Sequence, residues 1–144
     1  MEGKEIVDNH GRKINYLRLS VTDRCNLRCN YCMPVKGIDF VNRKELLSYE
    51  EMLRLCTVLA ANGIEKIRIT GGEPFVRTDI IDFLEKLTQI DGINTVSITT
   101  NGVLTKNYIN DLKRIGIRNI NLSLDTLDKE RFKKITNRDE FDKV

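Results

Sequence analysis

This 144-residue chain is short of the ligands that a closed metal site needs: it has a single histidine, His10, and four cysteines. It has no run near the roughly 18 consecutive apolar residues of a membrane span. The N-terminal stretch MEGKEIVDNHGRK is charged where a signal peptide would carry an apolar core. Low-complexity tracts and linkers are missing. The net charge is only +3, with both signs plentiful, so the clustered basic face of a nucleic-acid binder is missing too. These absences point to one cytoplasmic domain over residues 1–144 with neither a nucleic-acid nor a membrane partner. In a reducing compartment, clustered cysteines read as metal or redox ligands rather than as a disulfide framework.

What is present is a repeat of strand and helix. Strands are expected at Ile14–Thr22, Glu65–Thr70, Asn94–Thr100 and Arg118–Leu124. Helices are expected over SYEEMLRLCTVLAANG, Thr78–Ile90, TKNYINDLKRIG and DKERFKKIT. Ser48 and Glu51 form a capping box, Thr78 is the expected N-cap of the second helix, and Gly63 and Gly116 are expected stops. Alternating βα units imply an α/β fold with a parallel sheet and right-handed crossovers.

The strands alternate, whereas strands covered on both faces of a parallel sheet run continuously apolar. Leu17, Leu19 and Val21 share one face, and Tyr16, Arg18 and Ser20 the other. Ile67 and Ile69 oppose Lys66, Arg68 and Thr70; Val96 and Ile98 oppose Thr95, Ser97 and Thr99; Ile120, Leu122 and Leu124 oppose Asn119, Asn121, Ser123 and Asp125. With a side-chain period of two, one face is apolar and takes the helices, and the other is polar. That polar face is either the inside of an open barrel holding an anionic ligand on Arg18, Lys66 and Arg68, or simply a face that meets water.

Ligands of parallel sheets bind at the C-terminal strand ends, and here each end carries an informative loop. The cysteines follow the first strand, Gly71-Gly72-Glu73-Pro74 the second, TTNG the third and DTLD the fourth. The glycines are expected to supply positive φ and close backbone approach to a ligand, and Glu73 an acceptor for an ammonium group. Asn101-Gly102 marks a tight turn.

Cys25, Cys29 and Cys32 stand in C-x3-C-x2-C spacing. A structural zinc site would close with a fourth cysteine or histidine. His10 precedes the first strand, and Cys56 lies mid-helix among Leu53, Leu55, Val58 and Leu59, as a buried small hydrophobe does. Three thiolates in one loop suit a four-iron cluster with one iron left open, and zinc remains the alternative.

This spacing, with Tyr31 before the last cysteine and GGEP one strand later, resembles the radical S-adenosylmethionine superfamily. The resemblance implies a [4Fe-4S] cluster on Cys25, Cys29 and Cys32, whose open iron is chelated by the amino and carboxylate groups of S-adenosylmethionine. It implies a 5′-deoxyadenosyl radical that abstracts hydrogen from a substrate. It also implies a partial (β/α) barrel, of which this chain holds about four of six βα units. LRLSVTDRCNLRCNYCMP, IRITGGEP, TTNG and NLSLDTLD together resemble the GTP 3′,8-cyclases of molybdenum cofactor biosynthesis, from about Gly11 to the end of the chain. That likeness implies S-adenosylmethionine contacts from Tyr31, Gly71, Gly72, Glu73 and Ser123. It implies GTP contacts from Arg18, Arg68 and Thr99, with Lys66 nearby. The strand positions in this set lie on the polar face that alternation defines independently.

The family continues well beyond position 144, with further strands and a C-terminal domain holding a second cluster. The expectation is therefore an N-terminal piece that binds S-adenosylmethionine weakly and does not cyclise GTP. Its fourth strand is an open edge, and self-association through that edge or a homodimer of the parent is the expected assembly. Another radical enzyme, for example one acting on a peptide, and a non-catalytic zinc module are the alternative readings.

Overall fold

The computed structural model describes residues 5–33 and 37–144. Within them four parallel strands lie side by side in chain order: β1 (Tyr16–Ser20), β2 (Lys66–Thr70), β3 (Thr95–Thr100) and β4 (Asn119–Leu122). Each strand is followed by a helix: α1 (Tyr49–Ala60), α2 (Ile80–Thr88), α3 (Ile109–Arg114) and α4 (Lys129–Thr136). The sheet is open, as expected for part of a (β/α) barrel, and the strands are shorter than their sequence patterns by a residue or more at most ends.

The strand pattern sorts as its alternation predicts. Leu19, Ile67, Ile69 and Ile98 are buried on one face against Met52 and Cys56 of α1 and Phe83, Leu84 and Leu87 of α2. The register sets Arg18 beside Arg68, Arg68 beside Ser97, and Ser97 beside Asn119, so one row of polar residues crosses the other face. On β4 the apolar flank is uncovered: Ile120 is 36% and Leu122 49% exposed. Cys56 is fully buried, and desolvation pushes its thiol up to about 11, which makes it an inert core residue.

Helix ends follow local chemistry in part. The capping box of α1 forms as expected, with the Glu51 N–H donating to Ser48 Oγ at 3.2 Å and the Ser48 N–H to Glu51 Oε2 at 2.7 Å. Gly63 stops this helix at φ 96°, and the Ile64 N–H reaches back to the Leu59 carbonyl. Thr78 does not cap α2. Asp79 holds the cap position at φ 59°, without a side-chain cap bond, while the Thr78 carbonyl accepts the Tyr49 hydroxyl at 3.0 Å. The third helix is split. Thr105–Tyr108 is a 3-10 turn drawn tight by the Thr105 N–H on the Gly102 carbonyl, and only Ile109–Arg114 is α-helical.

Candidate functional site

The site begins where two strand ends touch. The Gly72 N–H donates to the Thr22 carbonyl at 2.7 Å, and the Glu73 N–H to the Arg24 carbonyl at 2.8 Å. A Cβ on Gly72 would lie 2.2 Å from the Arg24 oxygen, and one on Gly71 2.6 Å from the Thr22 oxygen. The glycines are thus required by close backbone approach, as expected, but the backbone approached is the chain leading into Cys25. Neither glycine stands in the left-handed region, so the expected positive φ is not what selects them.

Glu73 also departs from expectation. Its side chain is wholly buried. One carboxylate oxygen accepts the Phe75 N–H at 3.2 Å and the Thr100 hydroxyl at 2.8 Å, and the other accepts the Asn101 N–H at 2.8 Å. Burial raises its carboxyl above the usual range, against the pull of those three donors. The carboxylate ties the end of β2 to the end of β3, and those bonds occupy it inside the protein rather than offering it to an ammonium group.

The cysteine loop is held mainly by residues about a hundred positions away. The Arg28 N–H donates to the Thr136 carbonyl and the Asn30 N–H to the Ile135 carbonyl, each at 2.9 Å. The Asn137 side chain, from a residue at φ 52°, donates to the Arg28 carbonyl at 2.7 Å. The loop therefore satisfies carbonyls that the C-terminus of α4 leaves open. Below it Leu27, Val103 and Phe132 form a small buried cluster, with Cys25, Cys29, Leu124 and Phe141 packed against it. Cys25 and Cys29 are half-buried and Cys32 is exposed. Desolvation raises the Cys25 and Cys29 thiols.

Cys25, Cys29 and Cys32 all line one cavity of about 250 Å³. Arg18, Thr99 and Ser123 from the strands and strand ends line it together with Gly71, Gly72 and Tyr31. The Tyr31 hydroxyl donates to Asp125 Oδ2 at 2.8 Å. Glu73, Lys66 and Arg68 lie outside this wall. Arg68 stands beside Arg18 on the same face, half-buried, and its Nε is buried with no partner among the described residues. Lys66 is exposed, one pleat repeat further from the loops. Sequence reasoning missed Asn101 and Asp125 as wall residues. Both lie in loops it had flagged, TTNG and DTLD. It also missed Phe132 and Thr136, for which α4 carries no local signal.

Among the described residues no three cysteine, histidine or acidic side chains converge on a single-ion site. Cys25, Cys29 and Cys32 nevertheless line one cavity, and two N–H donors lie near the Cys25 sulfur, a thiolate donor set of the soft kind that holds an iron–sulfur cluster.

The Radical SAM superfamily model matches residues 19–144. A GTP 3′,8-cyclase of Geobacter sulfurreducens is 49% identical over 97% of this chain and 43% of its own length. Another, of Thermodesulfovibrio yellowstonii, is 51% identical over 90% of this chain and 40% of its own. The chain thus spans less than half the length of these relatives. Among solved structures it is similar to Streptococcus suis SuiB bound to S-adenosylmethionine, with TM-score 0.65 and 26% identity over 85% of this chain and 28% of that one. It shares its fold with HydG, a maturase of the [FeFe]-hydrogenase, at TM-score 0.68 and 19% identity over 89% of this chain and 30% of that one. No helix among the described residues is long and apolar enough to cross a membrane.

Proposed function

The chain belongs to the radical SAM superfamily, and from that premise we propose that it serves GTP 3′,8-cyclisation in molybdenum cofactor biosynthesis. The superfamily uses a [4Fe-4S] cluster and S-adenosylmethionine, which when bound supply a 5′-deoxyadenosyl radical. In this reading Cys25, Cys29 and Cys32 hold three irons and leave the fourth for the cofactor. Tyr31, Gly71, Gly72 and Ser123 lie along the same cavity as those thiols and position S-adenosylmethionine. Glu73 serves that site through the backbone it clamps.

The observation that carries the substrate is the pair of cations on the polar face. Arg18 and Arg68 stand side by side on adjacent strands, and the Arg68 Nε has no partner within the described residues. Two guanidinium groups with no ion-pair partner among the described residues fit the triphosphate of GTP, with Thr99 at the cavity and Lys66 at the outer end of the row. Names of relatives 49% and 51% identical to this chain favour the same substrate. The cyclisation belongs to the whole protein. These 144 residues alone are proposed to bind S-adenosylmethionine weakly and not to cyclise GTP.

The test is equilibrium binding in the whole protein after anaerobic reconstitution. Arg68→Ala is expected to weaken GTP binding by about ten- to a hundredfold, the worth of a charged hydrogen bond of about 1.5–3 kcal/mol. S-adenosylmethionine binding should change little. Unchanged GTP affinity would remove Arg68 from the substrate site. In the same preparation Cys25→Ala, Cys29→Ala and Cys32→Ala should each lose the cluster, and Cys56→Ala should keep it.

A further inference from the structure

We propose that Asn101 is a positioning residue for Cys25, donating from its side-chain amide to the cysteine sulfur and so raising the reduction potential of the cluster bound there. The inference rests on Cys25, Cys29 and Cys32 being the cluster ligands. Asn101 closes the tight turn after β3, and its Oδ1 accepts the Val103 N–H at 3.1 Å. An N–H can only donate, so this bond decides which end of the amide is oxygen. The amide nitrogen therefore faces the other way. It lies 2.8 Å from Asn26 Oδ1 and 3.7 Å from Cys25 Sγ. An amide carries two N–H bonds, one for each of these acceptors. The backbone N–H of Asn101 is held in turn by the buried Glu73 carboxylate at 2.8 Å. Tight-turn chemistry accounts for the bond to Val103, but it does not require a donor aimed at a thiol.

The Cys25 sulfur has a second donor, the Leu27 N–H at 3.4 Å. Hydrogen bonds donated to a cluster sulfur favour negative charge on it. Reduction adds an electron that the ligand sulfurs share, so such donors stabilise the reduced form more than the oxidised one and raise the potential. Because Asn101 is anchored through Val103, Asn26 and Glu73, its donor meets the sulfur with little reorganisation.

The experiment is a reductive titration of the reconstituted protein, followed by electron paramagnetic resonance, with iron and sulfide content measured alongside. Asn101→Ser keeps a short oxygen for the Val103 N–H and cannot reach Cys25. It should load the cluster and make one-electron reduction about tenfold less favourable, a fall of about 59 mV. Asn101→Asp keeps the shape and the acceptor but replaces the donor with a carboxylate, and its potential should fall further. Asn26→Ala leaves the donor in place and should shift the potential less than Asn101→Ser. A loaded Asn101→Ser cluster at unchanged potential overturns the inference and leaves the cysteine assignment standing. If serine unfolds the turn by circular dichroism, Asn101→Asp carries the test, and an unchanged potential there is equally fatal. Failure of the unsubstituted protein to take up iron and sulfide overturns the cysteine assignment and the inference together.

Discussion

The Tyr31 hydroxyl donates to the Asp125 carboxylate at 2.8 Å, joining the cysteine loop to the end of β4 across 94 positions of sequence. That bond holds the phenol well above the ordinary tyrosine range, because ionisation would forfeit the donated hydrogen and set a phenolate beside a carboxylate. The exposed ring, the three thiols and Ser123 share one cavity, so the bond also fixes its rim.

Asp125→Asn should let Tyr31 ionise closer to the usual tyrosine value. A spectroscopic titration of tyrosinate, with Tyr31→Phe as the blank, checks this. Tyr31→Phe should lower stability by about 1 kcal/mol, the net worth of a hydrogen bond, and should speed amide exchange in the cysteine loop. A tyrosinate titration unmoved by Asp125→Asn would mean that the pair does not form in solution.

Glu73→Gln should destabilise the fold by about 1–3 kcal/mol although it removes a buried charge. The carboxylate faces three donors, and an amide must turn its NH2 toward at least one of them, leaving that donor unsatisfied. The pH dependence follows from the raised carboxyl. The folded chain binds this proton more tightly than the unfolded one. The contribution of Glu73 to stability therefore declines as pH rises from the ordinary carboxylate value through the raised folded one. Urea unfolding of wild type and Glu73→Gln across that interval should show the decline only in the wild type.

Gly72→Ala should be among the most damaging single-methyl additions in the chain. The new Cβ would meet the Arg24 oxygen at 2.2 Å and the Arg24 carbonyl carbon at 2.5 Å, both backbone atoms that no rotamer change can move aside. Overpacking of this kind costs about 1–3 kcal/mol or more. The strain falls on the segment that carries Cys25, so the melting temperature should drop and the thiol reactivity of Cys25 should rise together. Gly116→Ala tests a different cost. Beyond its two chain neighbours, nothing among the described residues lies within 4 Å of its added Cβ, and only the left-handed φ of 82° opposes it. It should lower stability without touching the thiols.

Much of the architecture was legible in the chain itself. A side-chain period of two is a local property, so Leu19, Ile67, Ile69 and Ile98 announced the helix-bearing face, and Arg18 and Arg68 the opposite one. The capping box at Ser48 and Glu51 was legible for the same reason, because its partners are three residues apart. The four loops fell at one sheet end because parallel strands leave no other place for them, and the spacing of Cys25, Cys29 and Cys32 carried the family.

What only the tertiary structure decided are contacts between residues far apart in sequence. Glu73 turned inward because the donors that hold it, on Thr100 and Asn101, come from the next strand. The glycines of GGEP were selected by the backbone of Thr22 and Arg24, about fifty positions earlier. The cysteine loop rests on the C-terminus of α4 and on Phe132, where no local pattern marks a partner. Asn101 looked like a turn residue, and its Oδ1 does serve the turn; only the folded chain brings Cys25 to the other end of the amide. Local propensity and periodicity determine which face a side chain takes, whereas the identity of the atom it meets there depends on packing.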